Sequence, residues 1–547
     1  MSAGSLGQAD ILHSVLLGVL LLGVLLLGVL LLAAAPAVAG EALSELGRRI
    51  YVDGILPDGT LLTATRFKEN ATASGAEAAC INCHRRSGYG SIEGRFLVPP
   101  VAGAALFAPG AFAVPAASRQ KRPPGIQVER FRARSAYNER KLRRALRDGI
   151  DPDGNPLRPL MARYDLDAYA VKALAAYLRQ LSGAAAPGIS GDTLHLGTVI
   201  TPGVPPPQRE ALLEVLHAYA ATRKSWGMNW QLHVWQLSGA PQEWEAQLDE
   251  QYRRQPVFAL LSGAGMAEWQ PVHRFCERRA LACVLPSVEL APERDSDYYP
   301  LYFSSGLALE AQLLAHHLSA EPAPPQRLLQ VVADASGERA AAALREALER
   351  NGSKIAVQQM TPEEYAAAPP AAGTAAVCWL RPPQIAALTA AVQTPASPIY
   401  LSALLAPPEE LALPERWKQA LRVVSMYDLL AEQRAQAVLL PWLARNGIAE
   451  DYLRLRGDAY AASDFLNKAI TAVQMQTTGG IPGSLTRERL LEALESTLTV
   501  FRDDTAPYYW RLSLGPGQRL PVKGGALLHY AAPDATELTP FTARIVP

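Results

Sequence analysis

Residues 257–287 have the sequence VFALLSGAGMAEWQPVHRFCERRALACVLPS, which predicts a strand, a glycine-rich loop, a helix and a second strand. The apolar run 257–262 is short enough for a buried strand, and two glycines follow it within three residues. Residues 266–279 have helical spacing, and 282–286 form another short apolar run. A helix between two such runs indicates a parallel sheet, and therefore an α/β fold.

The same alternation continues on both sides of this stretch. Upstream, residues 194–201 and 231–236 are predicted strands, and residues 207–224 are a predicted helix. A second set begins at residue 328. It comprises strand patterns at 328–333, 355–360, 375–380 and 398–402, with a helix at 337–351. Two successive α/β halves predict two lobes with a cleft between them.

This region resembles the type I periplasmic solute-binding proteins, the class of the branched-chain amino-acid receptors. The segments that carry the resemblance are 257–265, 276–287 and 299–305, in which strands end at glycine-rich loops or at serines. The resemblance is one of pattern and spans about 350 residues. It implies a two-lobed domain over residues 193–547 that binds a small molecule, as the solute-binding protein of an ABC-type transporter does.

Ligands of open α/β lobes bind beyond the carboxyl ends of the strands. In the first lobe this rule selects Thr201, Ser262, Gly263, Gly265 and Ser287. In the second lobe it selects residues 333–336, Arg381, Tyr427 and Asp428. The resembled family holds an amino-acid carboxylate with hydroxyls and backbone amides at such loops. Ordinary loop capping, and a solvated side chain for Arg381, are the alternative interpretations.

Residues 80–84 read CINCH, the C-x-x-C-H signature of covalent c-type haem attachment. Cys80 and Cys83 would bond to the porphyrin, and the imidazole of His84 would ligate the iron. This signature predicts one haem c and, because haem c is attached after export, a periplasmic protein.

Elimination gives a candidate for the sixth iron ligand. Between residues 40 and 182 the chain has one His, His84, and one Met, Met161. Met161 follows a turn-rich loop, as expected of a ligand that does not belong to a helical stripe. His and Met ligation favours the ferrous state and suits electron transfer. A five-coordinate iron or a lysine ligand, from Lys68, Lys121, Lys141 or Lys172, is the alternative.

These motifs resemble a class I monohaem cytochrome c domain over residues 40–182. A first helix at 41–51 carries Gly47, where that family crosses its terminal helices, and a closing helix follows at 168–178. The proline segment 98–100 resembles the one whose carbonyl orients the axial His in that family. The resemblance implies an all-α domain, with an added surface loop between Tyr51 and Cys80.

The N-terminal segment indicates export, and the charge distribution argues against nucleic-acid binding. Residues 11–35 are almost wholly apolar, and Ala37-Val-Ala39 is a cleavage-like site, so residues 1–39 are predicted to be a signal peptide or an uncleaved membrane anchor. Residues 183–192 are a predicted linker rich in small residues. Residues 41–181 carry 22 Lys and Arg against 14 Asp and Glu, an excess too modest for nucleic-acid binding in an exported protein.

The sequence shows no nucleophile–base pair or phosphate loop, so we do not expect an enzyme. Cys276 and Cys283 could pair or stay reduced. Three hypotheses remain. The first is an electron carrier whose binding-protein-like domain senses a ligand or docks a redox partner, for example a periplasmic dehydrogenase. The second is an ABC-type solute-binding protein with an accessory haem domain. The third, a haem enzyme, is the weakest because Met161 would fill the open iron position.

Overall fold

The computed structural model describes residues 42–547 apart from 67–70, 94–95, 111–132, 184–185, 226, 293–296, 369–372, 396, 478–484, 501–507, 510–511 and 516. The chain forms two compact units, one from residues up to 185 with 475–486, the other from 186–474 with 487–547. The predicted signal or anchor segment, 1–39, lies outside the described residues. No helix within the described ranges is long and apolar enough to cross a membrane.

The described part of the first unit is mainly helical. Its helices are residues 42–48, continued by a π-helical turn at Arg49–Asp53, and Ile81–His84, Gly103–Leu106, Glu139–Asp148 and Ala168–Gln180. The first and last cross closely at Gly47, where a Cβ atom would lie 2.1 Å from the carbonyl oxygen of Ala173. Only glycine permits this approach, as predicted. Their buried faces share one core with Ile50, Tyr51 and Leu174.

The expectation of an all-α first domain is wrong in one respect. Strands β1 (Thr63–Arg66) and β2 (Ala71–Ser74) pair antiparallel, and so do β3 (Ile92–Glu93) and β4 (Phe96–Leu97). The first ladder falls in the stretch between Tyr51 and Cys80 that was expected to be a surface loop. Its threonines and alanines suit a mostly exposed two-stranded ladder, in which Ala64 is buried.

The second unit confirms the predicted two-lobed α/β architecture. The strands of the first-lobe sheet are β5 (Ile189–Ser190), β6 (Thr193–Ile200), β7 (Lys224–Ser225), β8 (Met228–Gln236), β9 (Ala259–Leu261), β10 (Ala264–Gly265), β11 (Ala282–Val284), β12 (Ser287–Val288) and β13 (Pro300–Leu301). The central order is β8-β6-β9-β11-β13, all parallel. Helices Pro206–Thr222, Pro241–Arg254 and Gln270–Arg278 connect these strands.

Two strands of this sheet are interrupted near their carboxyl ends. Ser262 (φ 52°) and Gly263 (φ 119°) separate β9 from β10, and Leu285 (φ 51°) precedes the short β12. The β10 and β12 segments still pair in parallel, Ala264 with Ser287. Positive φ angles at non-glycine residues cost energy and concentrate at functional sites. These breaks therefore mark the edge of the sheet at which a ligand is predicted.

The second-lobe sheet repeats the arrangement. Its strands are β14 (Arg327–Val332), β15 (Ala356–Met360), β16 (Thr374–Trp379), β17 (Ile399–Ser402), β18 (Leu421–Ser425), β19 (Ala526–Tyr530) and β20 (Leu538–Pro540). The order is β15-β14-β16-β17-β18-β19-β20, parallel as far as β18 and antiparallel beyond it. Its helices are Leu307–Ala320, Ala335–Arg350, Pro362–Ala367, Pro382–Ala391 and Glu415–Lys418. The near-continuous apolar strands, such as β16, suit a sheet covered on both faces.

The chain passes between the lobes three times. It leaves the first lobe after Tyr302, returns after Ser425, and leaves again before β19. The helices that follow this return are Leu429–Arg445, Leu453–Thr477 and Arg487–Val500, and their side chains contact the first lobe. Arg487, for example, donates to the carbonyl oxygen of Phe258 at 2.9 Å.

The second unit begins before the predicted boundary at residue 193. Residues 189–190 of the predicted linker form β5, which pairs antiparallel with β6. The Asp192 carbonyl also accepts a hydrogen bond from the Asn229 amide at 2.7 Å. The small residues of this stretch predicted flexibility, but its amides pair with an available sheet edge. Within the first lobe, Cys276 and Cys283 are free and fully buried.

Candidate functional site

Cys80, Cys83 and His84 lie on one short helical segment. The helix Ile81–His84 starts directly after Cys80, and the His84 amide donates to the Cys80 carbonyl at 2.9 Å. Both cysteines are half-buried, whereas His84 is buried. Burial raises the pKa of the Cys80 thiol to about 12. The hydroxyl of Tyr51 donates to the carbonyl of Arg85 at 2.7 Å and so fixes the end of the segment.

The His84 ring is held by a carbonyl of the proline segment 98–100, as expected from the sequence. Its Nδ1 lies 2.9 Å from the carbonyl oxygen of Pro99, so Nδ1 donates and Nε2 carries the free lone pair. Burial lowers the pKa of His84 and favours this neutral form. The segment is brought close by Gly90 (φ 77°), at which a Cβ would lie 2.1 Å from the Val98 carbonyl oxygen. The hydrogen bond to Pro99 therefore fixes the tautomer of His84, and metal ligation by Nε2 stays a prediction.

Met161 lies in a loop joined to the residues that precede Cys80. Met161 is partly buried and packs against the core cluster to which Cys80 and Ile81 also belong. Three residues after Met161, the Tyr164 hydroxyl donates to the Ala78 carbonyl at 3.1 Å across the fold. The sequence-distant Met161 loop and the C-x-x-C-H segment are therefore parts of one packed region. The ligation of iron by Met161 stays a prediction.

The first-lobe residues predicted to contact a ligand come together at one edge of the sheet. Thr201 follows β6, Ser262 and Gly263 interrupt the neighbouring strand, and Ser287 begins β12. The Thr201 amide donates to the Ala264 carbonyl at 3.1 Å, and the Ser287 amide donates to the Gly263 carbonyl at 2.9 Å. The hydroxyl oxygens of Thr201, Ser262 and Ser287 are buried and have no hydrogen-bond partner among the described residues.

Such a group of hydroxyls is unusual, because buried polar groups are nearly always paired with protein or water. Each unpaired hydroxyl costs free energy that a bound polar molecule or an ordered water would recover. The edge formed by Thr201, Ser262, Gly263 and Ser287 can therefore donate and accept hydrogen bonds toward a small molecule.

The second-lobe candidates Asp334, Ser336 and Arg381 are already engaged with one another and with Glu289 of the first lobe. We refer to these four residues as the interlobe cluster. Arg381 Nη1 lies 2.9 Å from Glu289 Oε1, and Arg381 Nε lies 2.7 Å from Asp334 Oδ2. The Ser336 hydroxyl donates to Glu289. Burial lowers the pKa of Arg381, but Glu289 and then Asp334 raise it to a net value above its usual one. The expectation of a solvated Arg381 is wrong.

Tyr427 lies in a different environment, at the connections between the lobes. Its ring stacks on Tyr509 with centroids 5.3 Å apart, and Tyr509 stacks in turn on Phe303. The Arg454 guanidinium lies 4.6 Å from the Tyr427 centroid. The Tyr509 hydroxyl donates to Asp458 at 3.3 Å, and burial raises the pKa of Asp458 to about 7. The structure gives Tyr427 a packing role here, and a ligand contact stays a prediction. Asp428 caps the helix that follows.

Sequence reasoning missed Glu289, Asp458 and Glu310. Glu289 stands two residues after Ser287 at the same strand end, so its position was a usable signal. Asp458 and Glu310 occur in helical patterns, where an acid normally faces water. Both are buried, and burial raises the pKa of Glu310 to about 8.

A surface cavity of about 310 Å³ lies elsewhere on the first lobe. It is lined by Glu245, Gln270, His273, Arg274, Glu277, Arg278 and Asp297. Its charged side chains largely bond to one another, as in Arg274 Nε to Glu245 at 2.7 Å. It includes none of the predicted ligand residues.

The solved structures that are similar to this chain cover about two thirds of its length, which corresponds to the second unit. No family model matches the chain, and no curated protein matches it. Among solved structures, a branched chain amino acid ABC transporter from Thermus thermophilus with bound valine is 12% identical, with a TM-score of 0.51; the match covers 66% of this chain and 98% of that one. A fatty acid ABC transporter substrate-binding protein from Thermomonospora curvata is 15% identical, with a TM-score of 0.49, over 66% and 95% of the two chains.

At these identities the comparison shows the fold. The chain contains the two-lobed α/β fold of periplasmic solute-binding proteins, over about two thirds of its length. The prediction of a cytochrome c domain rests on the C-x-x-C-H motif and on the contacts around His84.

Proposed function

We propose that this protein is an exported solute-binding protein of an ABC-type transporter, with an accessory haem c domain. The observation that carries the proposal is the group of unpaired buried hydroxyls at the first-lobe edge of a two-lobed fold. This favours the second of the three sequence hypotheses over an electron carrier, because most of the chain builds the fold of a binding protein.

The proposal is tested on the full-length protein by thermal shift and calorimetry against amino acids, small carboxylates, amines and polyols. A bound solute stabilises the folded state by RT ln(1 + [L]/Kd), so the shift grows with the logarithm of the solute concentration once that concentration exceeds Kd. We expect saturable stabilisation by one chemical class. The double variant Thr201→Val/Ser287→Ala should lose that binding, because it removes two of the three free hydroxyls.

The matched control is Thr222→Val, which changes an exposed threonine of the same lobe. It should bind as the wild type does. The proposal fails if no compound stabilises the protein, or if the double variant binds as tightly as the control.

The residues of the first unit fit a covalently attached haem. Cys80 and Cys83 are placed on one helical turn, and His84 offers Nε2 because Nδ1 donates to Pro99. Met161 would be the second protein ligand of the iron. When bound, such a haem supplies one-electron transfer. The chain's contribution is to hold His84 in the ligating tautomer and to bury its ring.

A second function, electron transfer to or from a redox partner protein, is favoured by the bond between His84 and Pro99. The test is Met161→Ala in the haem-loaded, full-length protein. We expect loss of the methionine–iron charge-transfer band and a lower reduction potential. Lys141→Ala and Lys172→Ala serve as controls for lysine ligation. An unchanged spectrum in Met161→Ala would rule Met161 out.

Both functions place the folded chain in the periplasm, because covalent haem attachment and solute capture take place there. Cell fractionation of the native protein, with mass determination of its N-terminus, distinguishes cleavage after Ala39 from an uncleaved membrane anchor. The haem-stained protein should occur in the soluble periplasmic fraction if the segment is removed.

A further inference from the structure

The interlobe cluster places a carboxylate of the protein itself between the two lobes. Glu289 comes from the carboxyl end of the first-lobe sheet, and both of its oxygens face second-lobe donors. Arg381 Nη1 lies 2.9 Å from Oε1 and Arg381 Nη2 lies 3.2 Å from Oε2, and the Ser336 hydroxyl donates to the same carboxylate. The Glu289 side chain is 12% exposed and that of Arg381 is 26% exposed. This is the two-pronged geometry with which arginine binds a carboxylate ligand.

Glu289 lies directly beside the free hydroxyls of the first lobe. Its amide donates to the Gly265 carbonyl at 3.2 Å, and Ser287, two residues earlier, pairs with Ala264. The carboxylate thus stands where the strand ends that carry Thr201, Ser262 and Ser287 face the second lobe. A solute held by those hydroxyls would meet Glu289 at the side of the second lobe.

We propose that Glu289 determines the specificity of the solute site by supplying internally the carboxylate that Arg381 binds. The site therefore discriminates against solutes that carry a carboxylate of their own, and selects neutral or cationic polar solutes. This inference rests on the proposed solute-binding function and names its substrate class.

The charge balance supports this discrimination. Arg381 already faces two carboxylates, Glu289 and Asp334, so the cluster carries an excess of one negative charge. A third carboxylate would have to displace Glu289, which is tethered and hence present at high effective concentration. It would also leave Glu289 poorly paired in a partly buried position, which is costly. A neutral or cationic solute meets neither penalty.

The decisive experiment compares Glu289→Gln with the wild type in the full-length protein. Acetate and benzoate are the probes, titrated by calorimetry at one pH and ionic strength. Glutamine keeps the shape and an acceptor for Ser336 but removes the charge that pairs with Arg381. We expect affinity for both anions to rise by about tenfold or more in the variant, corresponding to one ion pair released.

Glu268→Gln is the matched control. Glu268 also bridges the lobes, with its Oε2 2.6 Å from Arg339 Nη2, but the Arg339 side chain is 53% exposed and does not belong to the interlobe cluster. This variant should bind acetate and benzoate as the wild type does. An equal gain in both variants would show that any loosening of the lobes is sufficient, and would overturn the role assigned to Glu289.

The outcomes separate this inference from the proposed function. If the wild type binds a solute in the screen, but binds acetate and benzoate as tightly as Glu289→Gln, the inference fails and the function stands. If nothing in the screen binds the wild type and Glu289→Gln binds the anions, Glu289 does mask Arg381, but the proposed function fails and the substrate class named here fails with it. If neither protein binds any compound, both fail.

A melting curve establishes that each variant is folded. Should Glu289→Gln unfold, Glu289→Asp replaces it, because aspartate keeps the charge but is one methylene too short for the same contacts. It should show a smaller gain in anion affinity than expected of glutamine. Wild-type affinity in a folded Glu289→Asp would count against the inference.

Discussion

The two lobes share a strand order but differ in the state of the polar groups at their facing edges. In the first lobe, the hydroxyls of Thr201, Ser262 and Ser287 have no partner in the described chain. In the second lobe, Asp334, Ser336 and Arg381 are bonded to one another and to Glu289. Although the two sheets are similar, the polar side chains at the first-lobe edge are unpaired among the described residues, whereas those at the second-lobe edge are hydrogen-bonded within the protein.

This difference shows that a residue's position at a strand end does not by itself decide whether its side chain is free to bind a ligand. The rule that ligands bind beyond strand ends identifies residues at both edges equally well. Whether such a residue can contact a solute depends on its existing partners, which come from elsewhere in the chain. Arg381 has the side chain best suited to an anion, and it is also the one most completely paired.

The largest expected effect is on the pH dependence of stability, and it comes from Glu310, a buried acid of the second lobe outside the interlobe cluster. Burial raises its pKa from the usual 4.5 to about 8, although the Ser402 hydroxyl donates to it. The unfolded chain releases this proton near pH 4.5 and the folded chain near pH 8, so stability falls as pH rises through that window. Each unit of pKa shift corresponds to about 1.4 kcal/mol, so the loss amounts to a few kcal/mol.

Glu310→Gln should remove most of that slope, measured as the free energy of unfolding at pH 5, 6, 7 and 8. Asp458→Asn, on the helix Leu453–Thr477, is the comparison, since the pKa of Asp458 is raised less far, to about 7. The part of the slope that Asp458 contributes should end near pH 7, one pH unit below the end of the Glu310 contribution. A wild-type protein whose stability is flat from pH 5 to 8 would contradict both assignments.

Asp334 should show the next largest effect, because it stabilises the second-lobe edge in two ways. Its Oδ1 accepts from the Gly337 amide at 2.8 Å as a helix N-cap, and its Oδ2 pairs with Arg381. Asp334→Ala removes both contacts and should lower the free energy of unfolding by about 2 kcal/mol. Asp334→Asn keeps the cap and should lose about half as much. Equal losses in urea denaturation would mean that the ion pair accounts for the whole effect.

The smallest effect, and the sharpest test of the comparison, comes from two serine-to-alanine changes. Ser336→Ala removes a hydroxyl that donates to a carboxylate and should cost about 1.5 kcal/mol. Ser287→Ala removes a buried hydroxyl without a partner among the described residues and should leave stability unchanged or raise it by up to about 1 kcal/mol. Matched denaturation curves measure both. A Ser287→Ala loss as large as that of Ser336→Ala would mean that the first-lobe edge is occupied as well.

Much of the architecture could be predicted from the sequence, because short apolar runs separated by helical patterns report a parallel sheet directly. Gly47 was informative as well, because two helices that cross so closely leave no room for a side chain there. The haem predicted from the C-x-x-C-H motif stays a prediction. The interlobe cluster could not be predicted. Glu289 and Arg381 are 92 residues apart, and no local pattern says that two charged loop residues will meet. The β1–β2 ladder was missed because its alanines and threonines give a weak strand signal.

The three passages between the lobes have a consequence for the order in which the protein is made. The first lobe needs the helices that follow residue 428, and the second lobe needs β19 and β20, near the C-terminus. Synthesis must therefore be nearly complete before either sheet has its full set of neighbours. Residues 42–182 emerge long before that. A chain cut short after residue 428 would keep these residues, but it would lack 475–486, which belong to the first unit, and it would complete neither lobe.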